Sequence, residues 1–351
     1  MPSNSGKSPD EVTVMMVGDI YVQRDNPAEV FRHIKSTFAT ADLVIGNLEG
    51  AYTDSGTPWP KGGVNVWKAE ARQLAALENA GFHAVAATNN HIMDFGHVGL
   101  LETLDNLGRM GIRHAGAGRT EEEAYAPVIF ERKGLRIALL AFTSVYTPGW
   151  EARANTPGLA VMTARTAYEP PLRFVENPGR PPKVITWVLP DSKARLADCI
   201  ARARGAADYV ICSFHWGVSE GHVPLTDYQV ELGHHAVDCG ADLVFGHHPH
   251  LLQGIELYKK KPIIYSLGNL TFARHHAARG HELETMILRC RLRRDGSASV
   301  DYIPLCSDER LDPHVLPLDS AGAVTSIVEA RSRAFKTRFK PNGDGIAFEE
   351  G

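Results

Sequence analysis

A chain of 351 residues has room for one large core or two modest ones. Apolar residues make up 44% and charged residues 22%, the balance of a soluble globular protein, and a net charge of −4 gives no general reason to expect nucleic acid. The five cysteines (Cys199, Cys212, Cys239, Cys290 and Cys306) are widely spaced without a C-x-x-C pair, against a disulfide scaffold or a cysteine zinc cage and in favour of a reducing compartment.

Residues 1–11 are polar and lack the apolar segment of a signal peptide. No apolar run approaches the ~20 residues that span a bilayer. The expectation is a cytoplasmic protein with no membrane anchor. A strand is predicted over 12–17, ending at Gly18-Asp19, and a helix over 27–38 with Val30, Phe31 and Ile34 on one face. The next strand, 42–46, leads to Asn47-Leu48-Glu49 and a Gly/Pro-rich loop over 53–64. A helix over 70–80 stops at Gly81, as C-terminal glycines often mark. A short buried strand, 84–87, delivers Thr88-Asn89-Asn90-His91, and 99–110 is helical again. Residues 128–131 and 136–142 predict a hairpin across Lys133-Gly134.

The stretch 145–183 is irregular and rich in Pro and Gly, the mark of a functional loop or cap. A helix over 195–204 precedes a strand over 209–214 that delivers His215. A helix over 227–239 precedes a strand over 242–245 that delivers Gly246-His247-His248-Pro249-His250. The run 262–266 leads to Leu267-Gly268-Asn269, 284–292 and 299–304 form a closing antiparallel pair, and 324–335 is a terminal helix. No internal repeat or clean linker divides the chain. One domain over 10–318 is expected, with 145–183 as its loop or cap, followed by a helix and polar tail over 319–351.

Each strand-like run ends in a polar cluster: Asp19, Glu49, Asn90-His91, His215, then His248 and His250. In α/β sheets, sites gather beyond the carboxyl ends of strands. Singly, Asp19 reads as a helix cap, Glu49 as a solvated charge, the asparagines as a turn, and His91 or His215 as core histidines. Jointly, they read as a metal site, since imidazole is the commonest metal-binding side chain. Alternation along an extended segment would point His248 and His250 the same way, with Pro249 stiffening the turn between them.

The set Gly18-Asp19, Asn47-Leu48-Glu49, Asn89-Asn90-His91, His215-Trp216-Gly217, Gly246-His247-His248-Pro249-His250 and Ser266-Leu267-Gly268-Asn269 resembles the CapA (PGA_cap, poly-γ-glutamate capsule) family, a branch of the calcineurin-like metallophosphatases. The resemblance runs over about 12–305. It implies an α/β protein built as a four-layer α/β/β/α sandwich with a two-metal centre at one edge. It implies Asp19, Glu49 and His250 as ligands of one ion, and Glu49, Asn90, His215 and His248 as ligands of the other, with Glu49 bridging. His91 is implied as the histidine that stabilises or protonates the reacting group. Two departures stand out. Asp19-Ile20-Tyr21 puts tyrosine where ordinary metallophosphatases carry histidine, and Glu49 replaces their bridging aspartate. The first site therefore lacks one imidazole, so one or two ions per chain are expected.

Imidazoles with carboxylates and an amide oxygen suit zinc, manganese or iron. Two such ions can hold a hydroxide and clamp a polarised oxygen, which predicts hydrolysis of an amide, ester or phosphoester bond, with His91 and Asn90 at the reacting centre. The substrate is expected to be a small molecule or peptide, and the family suggests one like poly-γ-glutamate. One alternative is a metal-dependent peptide epimerase exchanging a proton at Cα, as in relatives that act on lasso-peptide precursors; another is a non-catalytic capsule-assembly protein. Lys61, Trp67, Lys68, Arg274 and His275 are candidate substrate contacts from loops near the site, and His276 and His281 lie nearby. The oligomeric state is left open.

Overall fold

A computed structural model of the protein describes residues 11–61, 66–173, 175–219, 224–272 and 282–351. Among these, two mixed sheets stack face to face. The larger runs, from edge to edge, Thr337–Asn342, Gly345–Glu350, Ala298–Ser307, Glu284–Arg293, Glu11–Ile20, Leu43–Leu48, Ala84–Ala86 and Arg113–Ala115. The smaller runs Ile255–Tyr258, Lys261–Ile264, Leu243–His247, Tyr209–His215, Leu135–Thr143 and Val128–Arg132.

Alternation along the strands explains the layers. Val14 and Met16 face the other sheet and meet Ile211, Leu243 and Phe245 in the inter-sheet core. Met15 and Val17 face outward and are covered by Leu77, Leu100 and Leu107. On the far side, Val210, Cys212 and Phe214 are covered by Leu196 and Ile200 of the Pro190–Ala206 helix and Leu232 of the Asp227–Asp238 helix. Strands buried on both faces read as continuous apolar runs, as 12–17 and 209–214 do. The order helices, sheet, sheet, helices is the four-layer α/β/β/α sandwich.

The strands at the centre of each sheet run parallel: Glu11–Ile20 with Leu43–Leu48, Leu43–Leu48 with Ala84–Ala86, and Tyr209–His215 with Leu243–His247. Their carboxyl ends, with Asp19, Glu49, Asn90, His215 and His248, therefore share one rim.

Local differences from the sequence reading have physical causes. The helix expected over 27–38 is a 3-10 turn at Pro27–Glu29 and a single helical turn at Lys35–Phe38. Among the described residues no side chain caps either N-terminus, while Val30, Phe31 and Ile34 still fill the outer core. Residues 145–183 contain a strand, Ala164–Glu169, paired with Lys183–Val188 as a long hairpin. The expected polar tail is a hairpin, Thr337–Asn342 with Gly345–Glu350, whose inner strand extends the larger sheet through Asp301↔Ala347 and Tyr302↔Ile346. Ile346 and Phe348, two residues apart, enter the inter-sheet core from an otherwise polar segment.

Gly18 is where the rim is tightest. A Cβ there would lie 1.9 Å from the Gly268 carbonyl oxygen, the acceptor of the Asp19 amide at 2.9 Å. Gly18→Ala is expected to destabilise the fold by about 3 kcal/mol, read from urea unfolding. A variant as stable as the parent would show that this approach of the two backbones can relax.

Candidate metal centre

The first strand breaks register at the site. Its pairing with Leu43–Leu48 shifts between Met16 and Asp19, and its pairing with Asn269–Thr271 shifts between Asp19 and Ile20. Such bulges re-aim side chains, and here the one aimed inward is Asp19. Its Oδ1 accepts from Asn47 Nδ2 at 2.7 Å, and its Oδ2 accepts from the His248 amide at 3.2 Å and lies 3.3 Å from His250 Nδ1.

His248 and His250 arrive by a different route from the alternation the sequence suggested. Their φ angles are +95° and +59°, so both sit in the left-handed region on either side of Pro249. Non-glycine residues adopt it at a cost, which marks functional sites. The turn, not an extended strand, brings both imidazoles inward. Asn269 then fixes His250, with Oδ1 at 2.9 Å from its Nδ1.

Glu49 is the centre of the arrangement. It is fully buried, and neither carboxylate oxygen has a hydrogen-bond partner among the described residues. Oε1 lies 3.9 Å from His215 Nε2 and 3.8 Å from His250 Nε2. His215 Nε2 is 2.8 Å from Asn90 Oδ1. This hydrogen-bond contact sets the two donor atoms side by side. Two trios have ligand atoms all within 4.8 Å of one another: Glu49, His248 and His250, and Asp19, Glu49 and His215. Glu49 belongs to both.

The electrostatics favour a cation. Burial, reinforced by neighbouring imidazoles, pushes His215 well below the ordinary histidine value and His248 down to about 3. Both are therefore neutral near pH 7, with lone pairs for a metal. Burial drives Glu49 well upward, with the Asp19 charge adding to it. Burial opposes the charge on His250, but the Glu49 and Asp19 carboxylates hold it up to about 9. Burial would also raise Asp19, yet its hydrogen bond to His250 and the charges of His247 and His250 keep it low. The His250 proton sits between the Glu49 and Asp19 carboxylates, where positive charge is favoured. Buried carboxylates, neutral imidazoles and an amide oxygen match the donor set of a divalent transition ion.

Beside this centre, His91 Nδ1 is 2.7 Å from Asp94 Oδ2. Lys61 forms an ion pair with Asp94 Oδ1 and donates to the Asn90 carbonyl oxygen. Trp67 stacks on the His91 ring at 3.5 Å between centroids, and its amide donates to Asp94 Oδ2 at 2.7 Å. Lys61 and Trp67 are therefore committed to the His91 loop. Lys68 lies with Nζ over the Phe95 ring, and its carbonyl accepts from the Tyr21 hydroxyl at 3.0 Å. Arg274, His275, His276 and His281 lie outside the described residues.

Asn89 is a scaffold. Its Oδ1 accepts from the His91 and Ile92 amides, and its Nδ2 donates to the Leu48 carbonyl. Sequence reasoning missed Asp94, wholly buried, and the role of Asn47, whose Nδ2 also lies 3.4 Å from His215 Nδ1. The signal for Asp94 was its place three residues after His91, where a turn returns the chain to its start.

Comparison with known proteins identifies relatives of the chain. The sequence model described as bacterial capsule synthesis protein PGA_cap matches residues 13–274. The capsule biosynthesis protein CapA of Bacillus anthracis is 30% identical over 306 residues, covering 84% of this chain and 67% of that protein. The PGA biosynthesis protein CapA of Bacillus subtilis is 27% identical over 307 residues, covering 85% and 72%. A probable polyglutamine synthesis accessory protein of Mycobacterium tuberculosis is 30% identical over 233 residues, covering 65% and 55%. With the match spanning both halves of the sandwich and every rim residue from Asp19 to His250, the chain belongs to the PGA_cap family of bacterial capsule synthesis proteins.

Proposed function

We propose that the protein is a metal-dependent hydrolase that cleaves an amide bond of a peptidic or poly-γ-glutamate-like substrate. The observation that carries this is the buried Glu49 carboxylate, set among Asp19, His215, His248 and His250 and unpartnered on both oxygens among the described residues. Asp19, Glu49, Asn90, His215, His248 and His250 are the residues that would hold one or two divalent ions. Such an ion supplies Lewis acidity at an acyl oxygen and lowers the pKa of water near neutrality.

The chain's own contribution is proton handling and orientation. The contact with Asp94 places the His91 proton on Nδ1 and leaves Nε2 as the acceptor. Burial brings His91 down to about 4, so it is neutral near pH 7 and acts first as a base. Asp94 then steadies the imidazolium, which returns the proton to the departing amine. Lys61 balances Asp94 and pins the Asn90 carbonyl, keeping Asn90 and His91 in fixed relation. The names of the capsule and polyglutamine relatives favour a γ-glutamyl or peptide amide over a phosphoester.

The test pairs metal analysis of the purified protein with turnover of γ-glutamyl amides, peptides, esters and phosphoesters. Hydrolysis of an amide with new termini in the product mass is expected. His215→Ala should lower both metal content and turnover. Retained metal with retained turnover would sink the assignment. A product unchanged in mass in water but deuterated in D₂O would replace hydrolysis by epimerisation.

A further inference from the structure

The Ala164–Glu169 and Lys183–Val188 hairpin belongs to neither large sheet. A two-stranded hairpin alone is marginally stable in water, so its edges matter. One edge is closed. The outward amides of Thr186 and Val188 donate to Asp227 Oδ2 at 3.2 Å and to Glu231 Oε2 at 2.8 Å, both on the Asp227–Asp238 helix.

That closure fixes the pattern on the other strand. Because Thr186 and Val188 spend their amides outward, their partners Thr166 and Ala164 are in non-hydrogen-bonded pairs and also point backbone groups outward. The opposite edge, along Ala164, Thr166 and Tyr168, pairs with no strand among the described residues. It is also exposed, with Tyr168 at 68% and its cross-strand neighbour Val184 at 53%. An open edge of this length is a template for another strand.

We propose that this edge pairs antiparallel with the same edge of a second copy of the chain, about a two-fold axis at Ala167. The side chains select that partner. Arg165 and Glu169 lie on one face, symmetric about Ala167, and neither forms an ion pair among the described residues. The two-fold axis sets Arg165 of each copy opposite Glu169 of the other, in the non-hydrogen-bonded pairs where side chains come closest. Thr166 and Tyr168 face each other in the hydrogen-bonded pairs, using the outward amides. Pro170, without an amide, ends the ladder. Four strands then form one continuous sheet with a self-complementary centre, the isologous contact of a two-fold dimer.

Sedimentation equilibrium of the full chain over a concentration series tests this. The parent is expected to dimerise. Arg165→Glu and Glu169→Arg alone should each weaken association at least about tenfold, because each substitution acts twice across the axis. The double variant R165E/E169R should recover it. Thr166→Pro, which removes an outward amide and leaves the hairpin's own ladder intact, should give monomer. Circular dichroism and thermal melting of each variant identify any that fail to fold, and the charge-swapped double variant keeps the test decisive. A monomeric parent would overturn the proposal, as would a dimer indifferent to all four variants.

Discussion

Glu49→Gln is expected to abolish tight binding of a divalent ion while raising the thermal stability of the metal-free protein. The two effects share one cause. The carboxylate is fully buried and, among the described residues, has no hydrogen bond, with the His250 Nε2 as a balancing charge 3.8 Å from Oε1. A charge taken out of water without good pairing costs several kcal/mol. Glutamine keeps the shape and removes the charge, for a gain on the order of 2 kcal/mol in the chelator-treated protein. The pH dependence follows the same logic. Burial raises Glu49 in the fold, so its contribution to metal-free stability is present at acid pH and is lost as pH rises through the raised value. The variant should lack that loss. Calorimetry with and without metal, beside elemental analysis, reads both effects. A variant that binds metal at parental stoichiometry, or melts lower than the parent without it, would contradict the central role of Glu49.

Asp94→Asn is expected to lower turnover by about 10²–10⁴-fold while leaving metal content unchanged. Asp94 belongs to neither ligand trio, but it touches His91, Lys61 and the Trp67 amide. An amide there neither fixes the useful tautomer nor steadies an imidazolium. It also leaves the Lys61 ammonium buried without its counter-charge, a loss of about 3–5 kcal/mol. Lys61→Met combined with Asp94→Asn should therefore recover stability without recovering turnover. Urea unfolding separates the two effects, and full turnover in Asp94→Asn would remove this pair from the mechanism.

The candidate centre was legible because its ligands follow buried strands. Apolar runs ending in Asp19, Glu49, His215 and His248 are a one-dimensional trace of parallel strands sharing a rim. What the sequence concealed depended on local backbone geometry or on side chains meeting across loops. Asp94 follows a turn rather than a strand. The left-handed backbone at His248 and His250 runs against the preference of both residues and is imposed by the surrounding contacts. Lys61 reads as a surface cation until the fold brings Asp94 beneath it. The C-terminal hairpin hides because its exposed residues dominate its composition, and only Ile346 and Phe348, with the partly buried Phe339, carry its inward face.

The rim draws Asp19, Glu49 and Asn90 from the larger sheet and His215, His248 and His250 from the smaller. An ion gripped by both groups is thus a clasp across the sandwich, reinforcing the Asp19 amide to Gly268 carbonyl bond and the pairing at Asn269–Thr271 that already tie the rim together. Loading the protein with metal should accordingly suppress opening of the whole molecule, with slower amide exchange at both sheet centres at once, and stripping the metal should loosen the two halves together.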